Sequence, residues 1–342
     1  MEVGATTGKA TARARLAVLL IGVAMLAGCS SSNNNPAERI TPTPLPTPGG
    51  NIVTEGDFMA LTYNVAGLPE ALTDSAPVRN HPQISPLLNG FDLVLVQEDF
   101  CHHALLAQDA KHPFQSTPAF PERPCEDPDR VGDGLNDFSV FAPVADLLRV
   151  PWNKCSGTAD CKNDCLTPKG YSYARREIAP GVEIDVYNIH TDSGSCRGDI
   201  AARGDQFAQL ADAIAEMSAE RAVIVAGDSN LRDSRPGDRQ IFEYFTEVTQ
   251  TSDHCENEER CVHGVLDRVV VRGAPNLEVR IVESYFDPSF ILRDEEGRPI
   301  DEQGNVIEVG PDGEPLDPEQ EFVDLSDHEA LAAEIAWTLF EG

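Results

Sequence analysis

Short apolar runs rich in valine, isoleucine and leucine recur along the chain, and several of them end in polar residues. "FMALTYNVAGL" (58–68), "FDLVLVQED" (91–99), "VEIDVYNIHTD" (182–192), "AVIVAGDSN" (222–230), "GVLDRVVVRG" (264–273) and "LEVRIVES" (277–284) have the length and β-branched content of strands. Between the third and fourth, "DIAARGDQFAQLADAIAEMSAE" (199–220) places Ile200, Phe207, Leu210, Ile214 and Met217 at helical spacing, which predicts an amphipathic helix leading into the next strand. Strand, helix, strand order with long loops predicts an α/β or α+β fold. One run is odd. "HGVLDRVVV" (263–271) sets Asp267 beside Arg268 in a strand that otherwise reads as buried, and a buried charge persists only with a partner or a task.

Two loop regions stand apart. Residues 145–170 hold three cysteines, Trp152 and several turn residues, and are expected to be a disulfide-stapled excursion. Residues 293–324 carry twelve acids against two bases and repeat a glycine turn, which predicts short hairpins with a solvated acidic surface; the spacing does not follow an EF-hand.

The ends set the compartment. Arg13 and Arg15 precede the apolar run "LAVLLIGVAML", which is too short to span a bilayer, and "LAGC" follows at 26–29. This resembles a bacterial lipoprotein signal. The resemblance implies removal of residues 1–28, acylation of Cys29 and anchoring in the cell envelope, at the outer membrane if the cell is Gram-negative. Residues 29–56 are polar and then proline-rich, and read as a tether. Residues 57–342 read as one domain.

Beyond Cys29 there are eight cysteines: Cys101, Cys125, Cys155, Cys161, Cys165, Cys196, Cys255 and Cys261. An even number in an exported chain suggests four disulfides, of which Cys255 with Cys261 is the expected local pair; the rest of the connectivity is open. Zinc is the alternative, but neither cysteine cluster has the paired short spacing of a structural zinc site.

The formal net charge is −31, and the first 28 residues carry three bases and one acid, so the remainder is more negative still. Such a field repels polyanions, and no lysine or arginine stripe tracks a nucleic-acid backbone. A bound divalent cation would change the local sign, so nucleic acid is disfavoured as a substrate rather than excluded.

In chain order, Asn64, Gln97 with Glu98, His190, Asp228 with Asn230, Asp267, and Asp327 with His328 each stand at or beside an apolar run. Singly, each reads equally well as a cap or turn. As an ordered set, "TYNVAGLP", "LVLVQED", "YNIHTD", "VAGDSN", "LDRVVV" and "LSDHEAL" resemble the endonuclease/exonuclease/phosphatase superfamily of metal-dependent phosphoesterases. "GDGLNDFSVFAP" (132–143) is similar to that superfamily's central strand pair. The resemblance implies a four-layer α/β/β/α sandwich of two mixed sheets, with a site in a cleft at one edge of both. It implies that Glu98 binds Mg²⁺, or Mn²⁺ or Ca²⁺ in its place, with Asn64 completing the shell or orienting phosphate and Asp327 in the metal set. Asp228 and Asn230 would hold the attacking water and a phosphate oxygen. His328 would pair with Asp267, and His190 would stabilise the phosphorane or assist the leaving group. Either Asp228 or the Asp267–His328 pair would take the water's proton.

"TYNVAGLP" and the 199–214 helix with Arg203 and Gln206 look closest to the sphingomyelinase-like branch, whereas "LDRVVV" and "SDH" look equally like pancreatic-type deoxyribonucleases. Acidity and the anchor favour a lipid head group or small phosphodiester over duplex DNA. An inositol-phosphate phosphatase and a non-catalytic binding lipoprotein are the remaining alternatives. Trp152 either packs under a disulfide or contributes to lipid contact. No protein partner is implied.

Overall fold

The computed structural model describes residues 50–119, 132–157, 164–264 and 266–341. The expected signal, Cys29, most of the tether, Cys125 and Cys161 lie outside the described residues. The elements run β1 (Ile52–Asn64), α1 (Pro77–Leu87), β2 (Leu93–Gln97), α2 (His103–Ala107), β3 (Phe114–Gln115), β4 (Asn136–Ser139), β5 (Ala142–Pro143) and β6 (Leu148–Pro151). They continue with β7 (Gly170–Ala179), β8 (Val182–His190), α3 (Arg197–Met217), β9 (Val223–Asp228), α4 (Pro236–Thr249), β10 (Asp267–Arg272), β11 (Leu277–Phe286) and β12 (Leu331–Phe340).

Two six-stranded mixed sheets result. The first has the order β11-β12-β1-β2-β4-β3, and the second β10-β9-β8-β7-β5 with β6 paired to β7. Side-chain alternation explains the layering. Leu93 and Leu95 of β2, with Ile224 and Ala226 of β9, enter the core between the sheets. Their neighbours Val94 and Val96 pack with Ile84 and Leu88 of the first helical layer, while Val223 and Val225 pack with Phe207, Leu210 and Phe245 of α3 and α4. A strand covered on both faces needs apolar residues at every position, which is why these runs do not alternate with polar residues. The expected α/β/β/α arrangement is what forms.

β1 begins at Ile52, five residues before the expected domain start, and is already paired with β12 from there (Ile52 opposite Phe340, Gly56 opposite Trp337). Residues 52–56, expected in the tether, therefore belong to the sheet. Their proline-free β-branched stretch "IVT" has a partner strand that only the C-terminus supplies. Residues 293–324 form successive tight turns, with bridges Arg293–Pro299, Ile300–Val306 and Val309–Pro315. Cys155 pairs with Cys165 and, as expected, Cys255 with Cys261; Cys101 is also disulfide-bonded.

Each sheet contains one parallel pair, β1 with β2 and β8 with β9. Parallel neighbours end at the same edge, so Asn64, Gln97, His190 and Asp228 terminate their strands together. β10 runs antiparallel to β9 and starts there, placing Asp267 opposite Asp228.

Candidate active site

Six distant chain segments meet at this edge. The amide nitrogen of Asn64 donates to Glu98 Oε1 (3.2 Å) and Asp228 Oδ2 (3.2 Å) and lies 3.5 Å from His328 Nε2. Its oxygen accepts from the Ala66 N–H at 3.1 Å. Asn64 thus presents hydrogens to the cluster and ties two carboxylates together, an arrangement that suits orienting phosphate, one of the two roles expected of it, better than ligating a metal. His328 Nδ1 bonds Asp267 Oδ2 at 2.8 Å, and His328 Nε2 lies 3.7 Å from Asp228 Oδ2. His190 Nε2 lies 3.4 Å from Asp228 Oδ2 and 3.8 Å from Glu98 Oε1, yet neither of its buried ring nitrogens has a hydrogen-bond partner.

Asn230 is placed differently from the expectation that β9 would run on through it. The strand stops at Asp228, and Asn230 adopts a left-handed φ of 50°. Its backbone N–H donates to Asp228 Oδ1 (3.0 Å) and its side-chain amide to the Thr191 carbonyl (3.1 Å), so it fixes Asp228 and the end of β8. Asp327 is exposed, and its charge bears on both Glu98 and His328. Arg268, for which the sequence offered no role, is buried over the Phe242 ring at 4.5 Å and donates to Asp233 at 2.7 Å and to the Leu231 carbonyl at 3.3 Å. It staples the segment after β9 onto β10.

Lys169 had gone unrecognised, whereas Trp152, Arg203 and Gln206, already singled out, take definite places. The Lys169 ammonium is held by Asp164 (2.7 Å) and the Thr191 carbonyl (3.1 Å), and it lowers the pKa of Glu98, His190 and Asp228 alike. It sits at the end of the cysteine-rich excursion, where no apolar run flagged it. Trp152, half-buried, donates Nε1–H to the His190 carbonyl at 2.7 Å and packs on Tyr171, which favours the packing role over lipid contact. Arg203 is fully buried, bonded to Asp238 and to the carbonyls of Asp192, Ser193 and Gly194. Gln206 bonds Asp192 through both amide atoms. Together they pin the loop that follows His190.

The charges are strongly perturbed. Burial raises the Glu98 carboxyl, Lys169 and the Asn64 hydrogen bond oppose the rise, and Asp228 and Asp327 add to it. Burial pushes Asp228 up to about 6, with Asp267 adding and His328 and Lys169 opposing. Burial pulls His328 down, but the hydrogen bond to Asp267 and the charges of Asp228, Asp267 and Asp327 carry it up to about 10. His190 falls well below its ordinary value through burial, helped by Lys169 and His328, and is neutral at physiological pH.

A half-buried and a buried carboxylate, both raised above the ordinary range, stand beside one another, and a divalent cation's charge would relieve both. Glu98, with Asp228 beside it, therefore suits such an ion. The ligand atoms of Asp228, Asp267 and His328 also lie within 4.8 Å of one another. In that group, however, the Asp267–His328 hydrogen bond already uses Nδ1, which is better accounted for as a carboxylate–histidine pair than as a metal cage.

No protein-family model matches the chain. Over 277 residues it is 32% identical to sphingomyelinases of Mycobacterium bovis and Mycobacterium tuberculosis, covering 75% of this chain and 54% of those proteins. The chain is a homologue of the mycobacterial sphingomyelinases. It spans about half their length. Sphingomyelinase C from Streptomyces griseocarneus superposes with a TM-score of 0.57 at 17% identity, covering 82% of this chain and 99% of that one. A beta toxin variant from Staphylococcus aureus with bound magnesium ions gives 0.53 at 15% identity, covering 81% and 99%. An endonuclease/exonuclease/phosphatase family protein from Bacteroides thetaiotaomicron gives 0.52 at 14%, covering 83% and 98%. These likenesses establish the shared fold of two mixed sheets flanked by helices.

Proposed function

We propose that this sphingomyelinase homologue is a Mg²⁺-dependent phosphodiesterase that hydrolyses zwitterionic lipid phosphodiesters of the sphingomyelin type, anchored in a bacterial envelope through Cys29. The observation that carries the reading is the convergence of Glu98, His190, Asp228 and the Asp267–His328 pair at the shared edge of the two parallel strand pairs. The lipid class is supported by homology and by acidity that disfavours polyanions; the envelope anchor is supported by the "LAGC" signal.

Glu98 would hold a divalent ion, which would supply charge neutralisation of the phosphate and a more acidic attacking water. The chain's own groups divide the rest. Asp228, with a pKa near 6, is ionised in most molecules at neutral pH and can accept the water's proton. His328, held as an imidazolium by Asp267, cannot accept that proton; it stabilises negative charge growing on the phosphoryl oxygens. Neutral His190 has an N–H free to donate to a non-bridging or leaving oxygen. Lys169 adds positive charge that acts on Glu98, His190 and Asp228.

Hydrolysis of bis-p-nitrophenyl phosphate with Mg²⁺ and with EDTA tests this. Turnover that requires metal and is lost in His328→Ala is expected. Absence of metal-dependent turnover, with wild type and His328→Ala alike, would leave a binding lipoprotein on the same fold. Sphingomyelin vesicles, plasmid DNA and inositol phosphates compared side by side then test the substrate, and cleavage of plasmid DNA alone would overturn the lipid reading.

A further inference from the structure

Glu98 is a non-glycine residue held at φ 57°, a left-handed conformation that persists only where the surroundings impose it. What imposes it lies on either side in the chain. Gln97 is fully buried, and its amide donates to Thr62 Oγ1 (3.1 Å), the Leu95 carbonyl (3.1 Å) and Asn188 Oδ1 (2.7 Å). Asn188 belongs to β8 in the other sheet and returns its own amide hydrogens to the carbonyls of Val96 (3.0 Å) and Asn136 (3.2 Å). On the far side, Asp99 is also buried; its Oδ2 accepts from Asn136 Nδ2 (2.8 Å) and from the His103 ring, and its N–H donates to the Gly134 carbonyl. The kink leaves no spare room. A Cβ on Gly67 would sit 2.4 Å from the Glu98 carbonyl oxygen, and one on Gly134 would sit 3.1 Å from Glu98 Cα.

We propose that Asn136, Asn188 and the Asp99–His103 pair form a clamp of positioning residues, which aims the Glu98 carboxylate into the site and thereby sets divalent-cation affinity. This rests on the reading of Glu98 as a metal ligand. Buried amides are costly unless their hydrogens are used, and here Gln97 donates within its own sheet to Thr62 and Leu95 and across to Asn188, which returns its hydrogens to Val96 and Asn136. Among the described residues, the hydrogen bond and ion pair of the Glu98 side chain go to Asn64 and His190, outside the clamp. The clamp acts only through the backbone, so its loss should weaken ligation without altering the groups that meet substrate.

His103 is the accessible handle, because its side chain is 18% exposed and its ring stacks on Phe138. His103→Leu keeps apolar contact and removes the donor, whereas His103→Asn restores a donor in the position of Nδ1. Mn²⁺ affinity of the full chain is read by water-proton relaxation, alongside the thermal midpoint and kcat at saturating metal. The expected result for His103→Leu is a Kd raised on the order of tenfold, with saturated kcat near wild type and His103→Asn recovering the affinity. Asn136→Ala should act in the same direction. Unchanged Mn²⁺ affinity in His103→Leu, beside a large loss in Glu98→Gln, would overturn the clamp and leave the metal reading intact. Wild-type Mn²⁺ affinity in Glu98→Gln would overturn both. Loss of affinity in His103→Leu that His103→Asn does not recover would show general destabilisation and also overturn the clamp.

Discussion

Replacing Asp267 by asparagine keeps the shape of the carboxylate and removes its charge, which isolates the cause assigned to the raised pKa of His328. The Asp267–His328 bond is 2.8 Å long, and the two side chains are only 7% and 12% exposed. A buried hydrogen bond to a charged group contributes about 1.5–3 kcal/mol, and 1.36 kcal/mol corresponds to one pKa unit. Asp267→Asn should therefore bring His328 down from about 10 by roughly 1–2 units, with Asp228 and Asp327 still holding it above its ordinary value. Ring-nitrogen NMR of the metal-free protein reads this directly. The same shift has a stability consequence. A histidine with a raised folded-state pKa contributes stability that is fully present below about pH 6.5 and is lost as pH rises through the folded value. Unfolding free energy of metal-free wild type should thus fall between about pH 7 and 10 by a few kcal/mol, and Asp267→Asn should show a shallower decline over that window. Turnover should drop while Mn²⁺ affinity stays near wild type. Identical titration of His328 in both proteins, or equal loss of metal affinity in Asp267→Asn and Glu98→Gln, would refute the division of labour.

Arg203→Met should cost about 3 kcal/mol in denaturant unfolding, because it removes the fully buried partner of Asp238, leaving Arg235 and the Arg232 N–H, and takes a donor from the carbonyls of Asp192 and Ser193; a loss below about 1 kcal/mol would show that the loop after β8 is held by other means. Trp152→Phe removes the N–H to the His190 carbonyl and should destabilise by about 1 kcal/mol, with kcat falling more than KM rises; unchanged kinetics would separate Trp152 from the site. Removal of the Cys155–Cys165 bridge by paired serine substitution should lower stability by about 2–3 kcal/mol in chemical denaturation, and an unchanged midpoint would contradict its stapling role.

The edge of the two sheets was legible because of a contrast: apolar strands covered on both faces have no use for a terminal Asn, Glu, His or Asp unless something is done there. The same contrast failed wherever polarity was spread along a strand. β7, "GYSYARREIA", escaped notice because Arg175 and Arg176 look solvated, although Arg176 reaches Asp137 across the sandwich and Arg175 reaches Asp185. β12, "LAAEIAWTLF", is alanine-rich and reads as helix or strand; its place between β11 and β1 decides, since Ala332 and Ala333 fit where two sheet faces and a helix layer close together. The run "AVIVAGDSN" reads as strand through Asn230, but β9 stops at Asp228 and Asn230 at φ 50° leaves the strand's alternation.

Charge was the least legible quantity, because it depends on partners that sequence distance conceals. Asp267 and Arg268 are adjacent, yet each is satisfied elsewhere: Asp267 by His328, 61 residues later, and Arg268 by Asp233, 35 residues earlier. Strand alternation sends the two side chains to opposite faces, so the pair was never a salt bridge. The net charge of −31 likewise misdescribes the site, where Lys169 and protonated His328 face Asp228 and Glu98. A whole-chain charge governs which substrates approach; the local arrangement governs which group can take a proton. Under the proposed mechanism the second consideration favours Asp228 over His328 as the base, a choice that the order of residues along the chain left open.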